Sequence, residues 1–354
     1  MKLLFYCHGC GNGGAERVIT TLSTAFAQKG YDVMLVTTKL SNNDYECDNR
    51  VKKICIHSEG ANAITRNIKI IKKFRKLVRT NKPNCIISFS SIPNIQAIIS
   101  TFAIKGKLII SERTDPSRYP ESSLGKRLRN ILYPLADSIV FQTRDALQYF
   151  KPSIQKKGCI IFNPIRENLP RPYTGERRKI IVGIGSLGEQ KNWLNALRAS
   201  ELFLNEYKDF LFNIYGEGPE RQALQDYINQ SSVLKGKVQL MGFSANAVND
   251  MNDAMMYISS SDYEGISNSM LEALATGVPS ICTDCPVGGA RMFIKSGING
   301  FLVPVNDSEE LYNKMKALAD NDVLRKQFTM ESPKIKQMLS IEKICSEWEK
   351  VITG

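Results

Sequence analysis

Residues Met255–Cys285, MMYISSSDYEGISNSMLEALATGVPSICTDC, decide the fold class. Met256-Tyr257-Ile258 is apolar and runs into Ser259-Ser260-Ser261, which predicts a short buried strand ending in a loop. Ser267 or Asn268 is expected to cap a helix, because Met270, Leu271, Leu274 and Ala275 recur at helical spacing. Gly277 stops that helix, Pro279 prevents its continuation, and Val278 to Cys282 reads as the next strand. Strand, loop, helix, strand is the unit of an α/β fold. Glu264 in the loop and Glu272 on the helix are eight positions apart, with small residues and a helix start between them. Free amides and the positive helix end suit an anion, and a carboxylate one to two turns in can reach a hydroxyl beside it. A phosphate flanked by hydroxyls fits both features, although an acidic pair taken alone is more often solvated surface.

Glu264-Gly265-Ile266-Ser267-Asn268-Ser269-Met270-Leu271-Glu272 resembles the Glu-x7-Glu motif of the retaining glycosyltransferases of family 4, with Glu-Gly-Ile-Ser in place of the usual Glu-Gly-Phe-Gly. The resemblance extends over nearly the whole chain. It implies a GT-B fold, two Rossmann-like domains facing across a cleft, and a nucleotide-sugar donor. In that family the first Glu contacts the donor sugar and the second holds the nucleotide ribose. Glu264, the run Gly265-Ile266-Ser267-Asn268 and Glu272 are therefore expected to bind the donor.

The 354 residues suffice for two domains of ordinary size, and no apolar run approaches the ~18 to 20 residues that span a bilayer. Nine cysteines, an odd number and mostly in strand-like segments, fit a reducing compartment. With an N-terminus too short in its apolar run for a signal peptide, they point to the cytoplasm. The net charge of +12 is uneven: residues 1–165 hold 26 Lys+Arg against 11 Asp+Glu, and residues 166–354 hold 21 against 24, so the halves carry +15 and −3. A basic half implies an anionic partner.

In the first half, Lys2 to Cys7 reads as a buried strand, His8 to Gly14 as a glycine-rich loop, Ala15 to Gln28 as a helix and Tyr31 to Thr37 as a strand, which is a phosphate-binding βαβ unit without a full GxGxxG. Gly13-Gly14-Ala15-Glu16-Arg17 resembles the family's glycine loop, which implies that Gly13 and Gly14 lie by the donor phosphate and Glu16 on the acceptor side. Ile64 to Asn81 alternates an apolar stripe (Ile64, Ile68, Ile71, Phe74, Leu77, Val78) with a basic face, and Gly60 to Ser111 contains no acid. The stripe is expected to pack on the core. Lys69, Lys72, Lys73, Lys76 and Arg79 are expected to meet an anionic inner-membrane surface at about 1 kcal/mol each. Cys85–Phe89 and Leu108–Ser111 are further buried strands. Ser111-Glu112-Arg113 resembles an acceptor-side loop in which many relatives carry His at the third position, so Glu112 and Arg113 are acceptor-side candidates, with Arg113 meeting an acceptor phosphate.

Domains are expected at 1–165 and 166–335, with 336–354 a helix returning to the first. Arg166 to Lys179 is proline-rich linker, and the α/β alternation restarts at Lys179–Gly185. Gly185-Ser186-Leu187-Gly188-Glu189-Gln190-Lys191-Asn192 resembles the family's Gly-Arg-Leu-x-x-x-Lys-Asn segment, with Ser186 where an Arg is usual. Lys191 matches the Lys that contacts the donor diphosphate, and Arg291 is a candidate to replace the missing cation. Gly216, and Gly242-Phe243 in the turn that resembles the nucleobase site, complete the expected donor set.

The resemblance implies transfer without a metal and with Glu264 and Lys191 at the chemistry. Cys7-x-x-Cys10 and Cys282-x-x-Cys285 lie too far apart in sequence for the usual zinc spacing, and no DxD occupies a suitable loop. The expected activity moves a hexosyl unit from UDP-hexose or UDP-N-acetylhexosamine to a polyprenyl-diphosphate-linked saccharide, as capsule and O-antigen enzymes of the family do. An epimerase of the same fold is the alternative. A nucleic-acid-binding protein is a third reading, against which the basic helix lacks interleaved aromatics and no recognition module occurs.

Overall fold

A computed structural model describes residues 1–11, 13–39 and 44–354. Asn12 of the glycine-rich loop lies outside the described residues. The chain forms two compact units, Met1–Pro164 with Ile341–Gly354, and Ile165–Ser340.

The first unit holds strands β1 (Lys2–Cys7), β2 (Asp32–Thr37), β3 (Lys52–Cys55), β4 (Cys85–Phe89), β5 (Lys107–Ser111), β6 (Ser138–Phe141) and β7 (Gly158–Ile160), in the order β3-β2-β1-β4-β5-β6-β7. The second holds β8 (Arg178–Ile184), β9 (Leu211–Tyr215), β10 (Val238–Gly242), β11 (Ala254–Ser259), β12 (Ser280–Thr283) and β13 (Phe301–Val303), in the order β10-β9-β8-β11-β12-β13. Every pairing is parallel. Parallel strands need helical crossovers on both faces, which is why the inner strands read as unbroken apolar runs rather than alternating ones. Both sheets reverse their order beside the first strand, between β1 and β4 and between β8 and β11. Connections leaving such a point diverge and open a crevice beyond the carboxyl ends of the strands.

Most expected elements fall where the pattern placed them. The edge strand β3 was not among them: Lys52 and Lys53 are exposed and only β2 gives the segment its ladder. The helix expected from Ile64 spans Ala63–Asn81 and begins with a capping box between Asn62 and Thr65. Its core face keeps Phe74 and Val78 of the expected stripe and differs in the rest. Ile70, Phe74 and Val78 are buried, with Phe74 stacked on Tyr6 at 4.0 Å, whereas Ile64 and Ile68 are exposed. The tail also differs. Ser332–Ile335 and Lys336–Leu339 are short turns of the second unit, Ser340 is extended, and Ile341–Thr353 is the helix of the first unit. Trp348 buries this helix against Phe89 at 5.7 Å, and Lys29 pairs with Glu349 at 2.7 Å.

Candidate functional site

The crevice between β8 and β11 collects the residues singled out in the second half. Beyond β8 the chain turns through Gly185–Gly188 into a single 3-10 turn, Glu189–Lys191, and Asn192 takes a left-handed backbone (φ 43°) to cap the helix Trp193–Glu206. A Cβ on Gly185 would come within 3.0 Å of Lys191 Cε, so the glycine lets the lysine stem lie across the strand end.

This turn is laced to the loop beyond β11. Gln190 Nε2 donates to the Tyr263 carbonyl and Asp262 N to the Gln190 carbonyl, both at 2.9 Å. Ser260 Oγ donates to the Lys191 carbonyl at 2.8 Å, and Asn192 Nδ2 donates to Asp262 at 2.7 Å. The lacing brings the Lys191 ammonium onto the Glu264 carboxylate as an ion pair, with side chains only 13% and 21% exposed. Ser261 Oγ also donates to Glu264, at 3.3 Å. Burial of this degree makes the pair sensitive to anything that takes one partner away.

Ser267 caps the helix Asn268–Ala275, accepting from Met270 N, and Ser269 Oγ donates to the Ile184 carbonyl at 2.9 Å. The helix start is thereby tied to the end of β8. The adjacent recess, about 240 Å³ including its solvent-open mouth, is lined by Ser261, Glu264, Ser267, Met270, Cys282 and Cys285 among others. Burial, and secondarily the Glu264 carboxylate, push the Cys285 thiol up to about 12, so it is a neutral wall rather than a nucleophile. All nine cysteines are free.

Glycines hold the neighbouring backbones at contact. A Cβ would lie 1.8 Å from the Gly185 carbonyl oxygen at Gly216 (φ +153°), and 1.6 Å from the Gly265 carbonyl oxygen at Gly289. Gly216 N donates to the Gly242 carbonyl at 2.8 Å, which extends the rim from β8 through β9 to β10, where Phe243 is exposed.

Glu272 has a partner that the sequence did not suggest. It is buried and paired with Arg166 (Nε to Oε1, 2.7 Å), a residue the sequence placed in the linker without a role. Nothing in the local pattern links positions 106 apart, so only the structure finds this partner. Arg291, considered as a replacement for the cation missing at Ser186, is ion-paired with Asp284 at 2.6 Å and is about half exposed.

In the first unit, Gly13 starts the helix Gly14–Gln28, and the Glu16 carboxylate folds back over it, 2.0 Å from where a Cβ would be. Burial raises the Glu16 carboxyl above its usual range. Glu112 and Arg113, read as acceptor-side, are interior. Glu112 accepts from Ser91 Oγ at 2.9 Å and Tyr133 OH at 2.7 Å, and burial raises its carboxyl. The Arg113 guanidinium lies 4.0 Å over the Phe89 ring and donates Nη1 to Asn163 at 2.9 Å. Desolvation lowers it to about 9. Both side chains are buried, and the partners named here belong to the first unit, while Arg113 Nε and Nη2 have no hydrogen-bond partner among the described residues.

Comparison with known proteins agrees with this layout. Residues 12–168 match the family model Glycosyltransferase Family 4, and residues 178–321 match Glycosyl transferases group 1. The chain is 29% identical, over 100% of both chains, to the N-acetylgalactosamine-N,N'-diacetylbacillosaminyl-diphospho-undecaprenol 4-alpha-N-acetylgalactosaminyltransferase of Campylobacter jejuni. It is 23% identical, over 99% of each chain, to the amylovoran biosynthesis glycosyltransferase AmsD of Erwinia amylovora. Among solved structures it superposes on Anabaena HepE in complex with UDP and glucose with a TM-score of 0.85 at 15% identity, and on Staphylococcus aureus TarM with 0.82 at 15%, each over 100% of both chains. With a sheet and a family model accounted for in each half, the chain belongs to glycosyltransferase family 4 and has the GT-B fold.

Proposed function

We propose that the chain moves a hexosyl unit, with retained anomeric configuration, from UDP-hexose or UDP-N-acetylhexosamine to a polyprenyl-diphosphate-linked saccharide during assembly of a cell-surface polysaccharide. The observation that carries this reading is the Lys191–Glu264 pair, held by backbone lacing at the switch point beside a helix start. The full-length similarity to an enzyme named for a diphospho-undecaprenol acceptor supports the choice of acceptor.

In this reading the donor diphosphate competes with Glu264 for the Lys191 ammonium. As the bond from the anomeric carbon to phosphate breaks, its electron pair goes to the phosphate oxygen. Lys191 and the amides of Ser267, Asn268 and Ser269 offset that charge without a metal. The acceptor oxygen bonds the same face of the sugar carbon, and its proton passes to the departing phosphate. Glu264, released from Lys191, accepts from a sugar hydroxyl, while Glu272 with Arg166 holds the ribose. Gly13 and Gly14 serve the donor phosphate, and Glu16 serves the acceptor side.

No helix among the described residues is long and apolar enough to cross a membrane. The proposed site of action is the cytoplasmic face of the inner membrane, with Lys69, Lys72, Lys73, Lys76 and Arg79 against anionic lipid. The test is nucleotide release from a panel of nucleotide sugars, with and without a polyprenyl-diphosphate saccharide, and NMR of the product anomer. Acceptor-dependent release, retained configuration and indifference to EDTA are expected. An inverted product, or EDTA inhibition restored by manganese, would overturn the mechanism.

A further inference from the structure

The helix Ser123–Leu132 is inside out. Arg129 is fully buried and donates Nη1 to the carbonyl of Pro116 at 2.7 Å, while its guanidinium lies 4.7 Å from the Phe150 ring. The following Tyr133 is buried as well. With the polar residue turned inward, the apolar ones face out: Leu124 is 77% exposed, Ile131 70%, Leu135 54% and Leu128 39%. Their spacing of four, three and four residues puts them on one face of a helix that runs on through the turn Tyr133–Leu135. The neighbouring helix Ser91–Thr101 adds Ile92 and Ile99, also exposed. An exposed apolar stripe of this length on one helix is not scattered surface hydrophobicity.

We propose that this face is the element that dips into the lipid, seating the first unit on an anionic bilayer. The charge around it selects that occupant. From Ser122 to Ala136 there is no Asp or Glu, and Lys126 and Arg127 flank the stripe. Two copies meeting through this face would bring those cations together, whereas a bilayer supplies acyl chains beneath the leucines and phosphates beside the bases. The basic helix Ala63–Asn81, with exposed Ile64 and Ile68, packs against Ser91–Thr101, which in turn packs against Ser123–Leu132. The proposal deepens the reading above, in which the acceptor is lipid-linked, and gives it a binding element distinct from the five cations.

The test uses the full chain and vesicles that contain no acceptor. The parent should float with phosphatidylglycerol-containing vesicles. The triple variant Leu124→Gln, Leu128→Gln, Ile131→Gln should lose partitioning on the order of 100-fold, as expected for withdrawing three large apolar side chains from lipid, with an unchanged Tm because those residues are exposed. Leu124→Trp should shift its emission to the blue on vesicles and be quenched by brominated acyl chains. Equal flotation of triple variant and parent, or an unquenched tryptophan, would overturn the proposal. So would a parent dimer that the triple variant disperses while neither form binds vesicles. Flotation that behaves as expected alongside no sugar transfer would sink the transferase reading and leave this one standing.

Discussion

Lys191–Glu264 in the second unit and Glu112–Arg113 in the first are both acid–base couples placed just beyond parallel strands, and they have opposite fates. Lys191 and Glu264 come from loops 73 residues apart, are laced into contact, and keep part of their surface open beside a helix start. Glu112 and Arg113 are adjacent in sequence, yet each points into its own pocket of partners, hydroxyls for the acid and an aromatic ring with an amide for the base. A charged residue at a strand end is thus a site only if what surrounds it leaves room for a ligand. Glu112 and Arg113 are enclosed instead, the acid fully partnered and the base with Nε and Nη2 unpaired among the described residues.

The largest difference should appear on replacing Lys191. Lys191→Ala is expected to lower kcat per folded molecule by about 10²-fold or more, the usual loss for one transition-state donor, beyond the stability lost by leaving Glu264 without its partner. The same measurement on Glu112→Ala should give the reverse pattern. Loss of a buried acceptor for Ser91 and Tyr133 should cost about 2 kcal/mol of stability, seen in denaturant melts, with turnover per folded molecule retained. Should Glu112→Ala abolish turnover in a fully folded protein, the division between site and core fails.

A smaller effect should separate the two glutamates of the motif. Glu272→Ala should weaken free nucleotide binding by about tenfold, on the order of one charge-assisted hydrogen bond, measured calorimetrically. Glu264→Ala should cut turnover without weakening free nucleotide binding, since it frees Lys191 for the diphosphate. Because Glu264 is paired with Lys191, the double variant should lose less than the sum of the two single losses.

The smallest effect concerns pH. Burial raises the Glu112 carboxyl in the folded state, so the folded protein binds this proton more tightly than the unfolded chain does. From about pH 4.3, the ordinary glutamate value, up to the raised folded value, the native state holds more protons, and this group's contribution to stability falls as pH rises. Glu112→Gln should remove that component. The parent-minus-variant stability should therefore decline with rising pH across this window, and a flat difference would show that Glu112 titrates normally.

The sheets and the glycine turns were legible because buried parallel strands carry their signal locally, in runs such as Cys85–Phe89, and because glycines mark the turns. Motif spacing singled out Lys191, Glu264 and Glu272, and the structure brings the first two into contact. What escaped was decided at a distance. Arg166 reaches Glu272 only once the second unit has folded. Lys52 and Lys53 become strand only beside β2. On Ala63–Asn81, Phe74 and Val78 of the expected stripe are buried, but towards the helix start Ile64 and Ile68 are exposed and Ile70, flanked by lysine and isoleucine, reaches the core instead. Glu112 and Arg113 matched a motif in type and position, and nothing in the local pattern shows that both are buried.

The backbone contacts at Gly216 and Gly289 also limit how this enzyme can change. Any side chain at either position would collide with a carbonyl less than 2 Å away, forcing apart loops whose spacing sets where Lys191 and Glu264 meet. Variation that retunes the enzyme for a different sugar is therefore closed at these glycines. On the proposed reading it falls to positions on the same loops that already carry side chains, such as Ser186, Phe243 and Ile266. The rigid part of the crevice is inherited as a block, and new specificities are explored only along its lining.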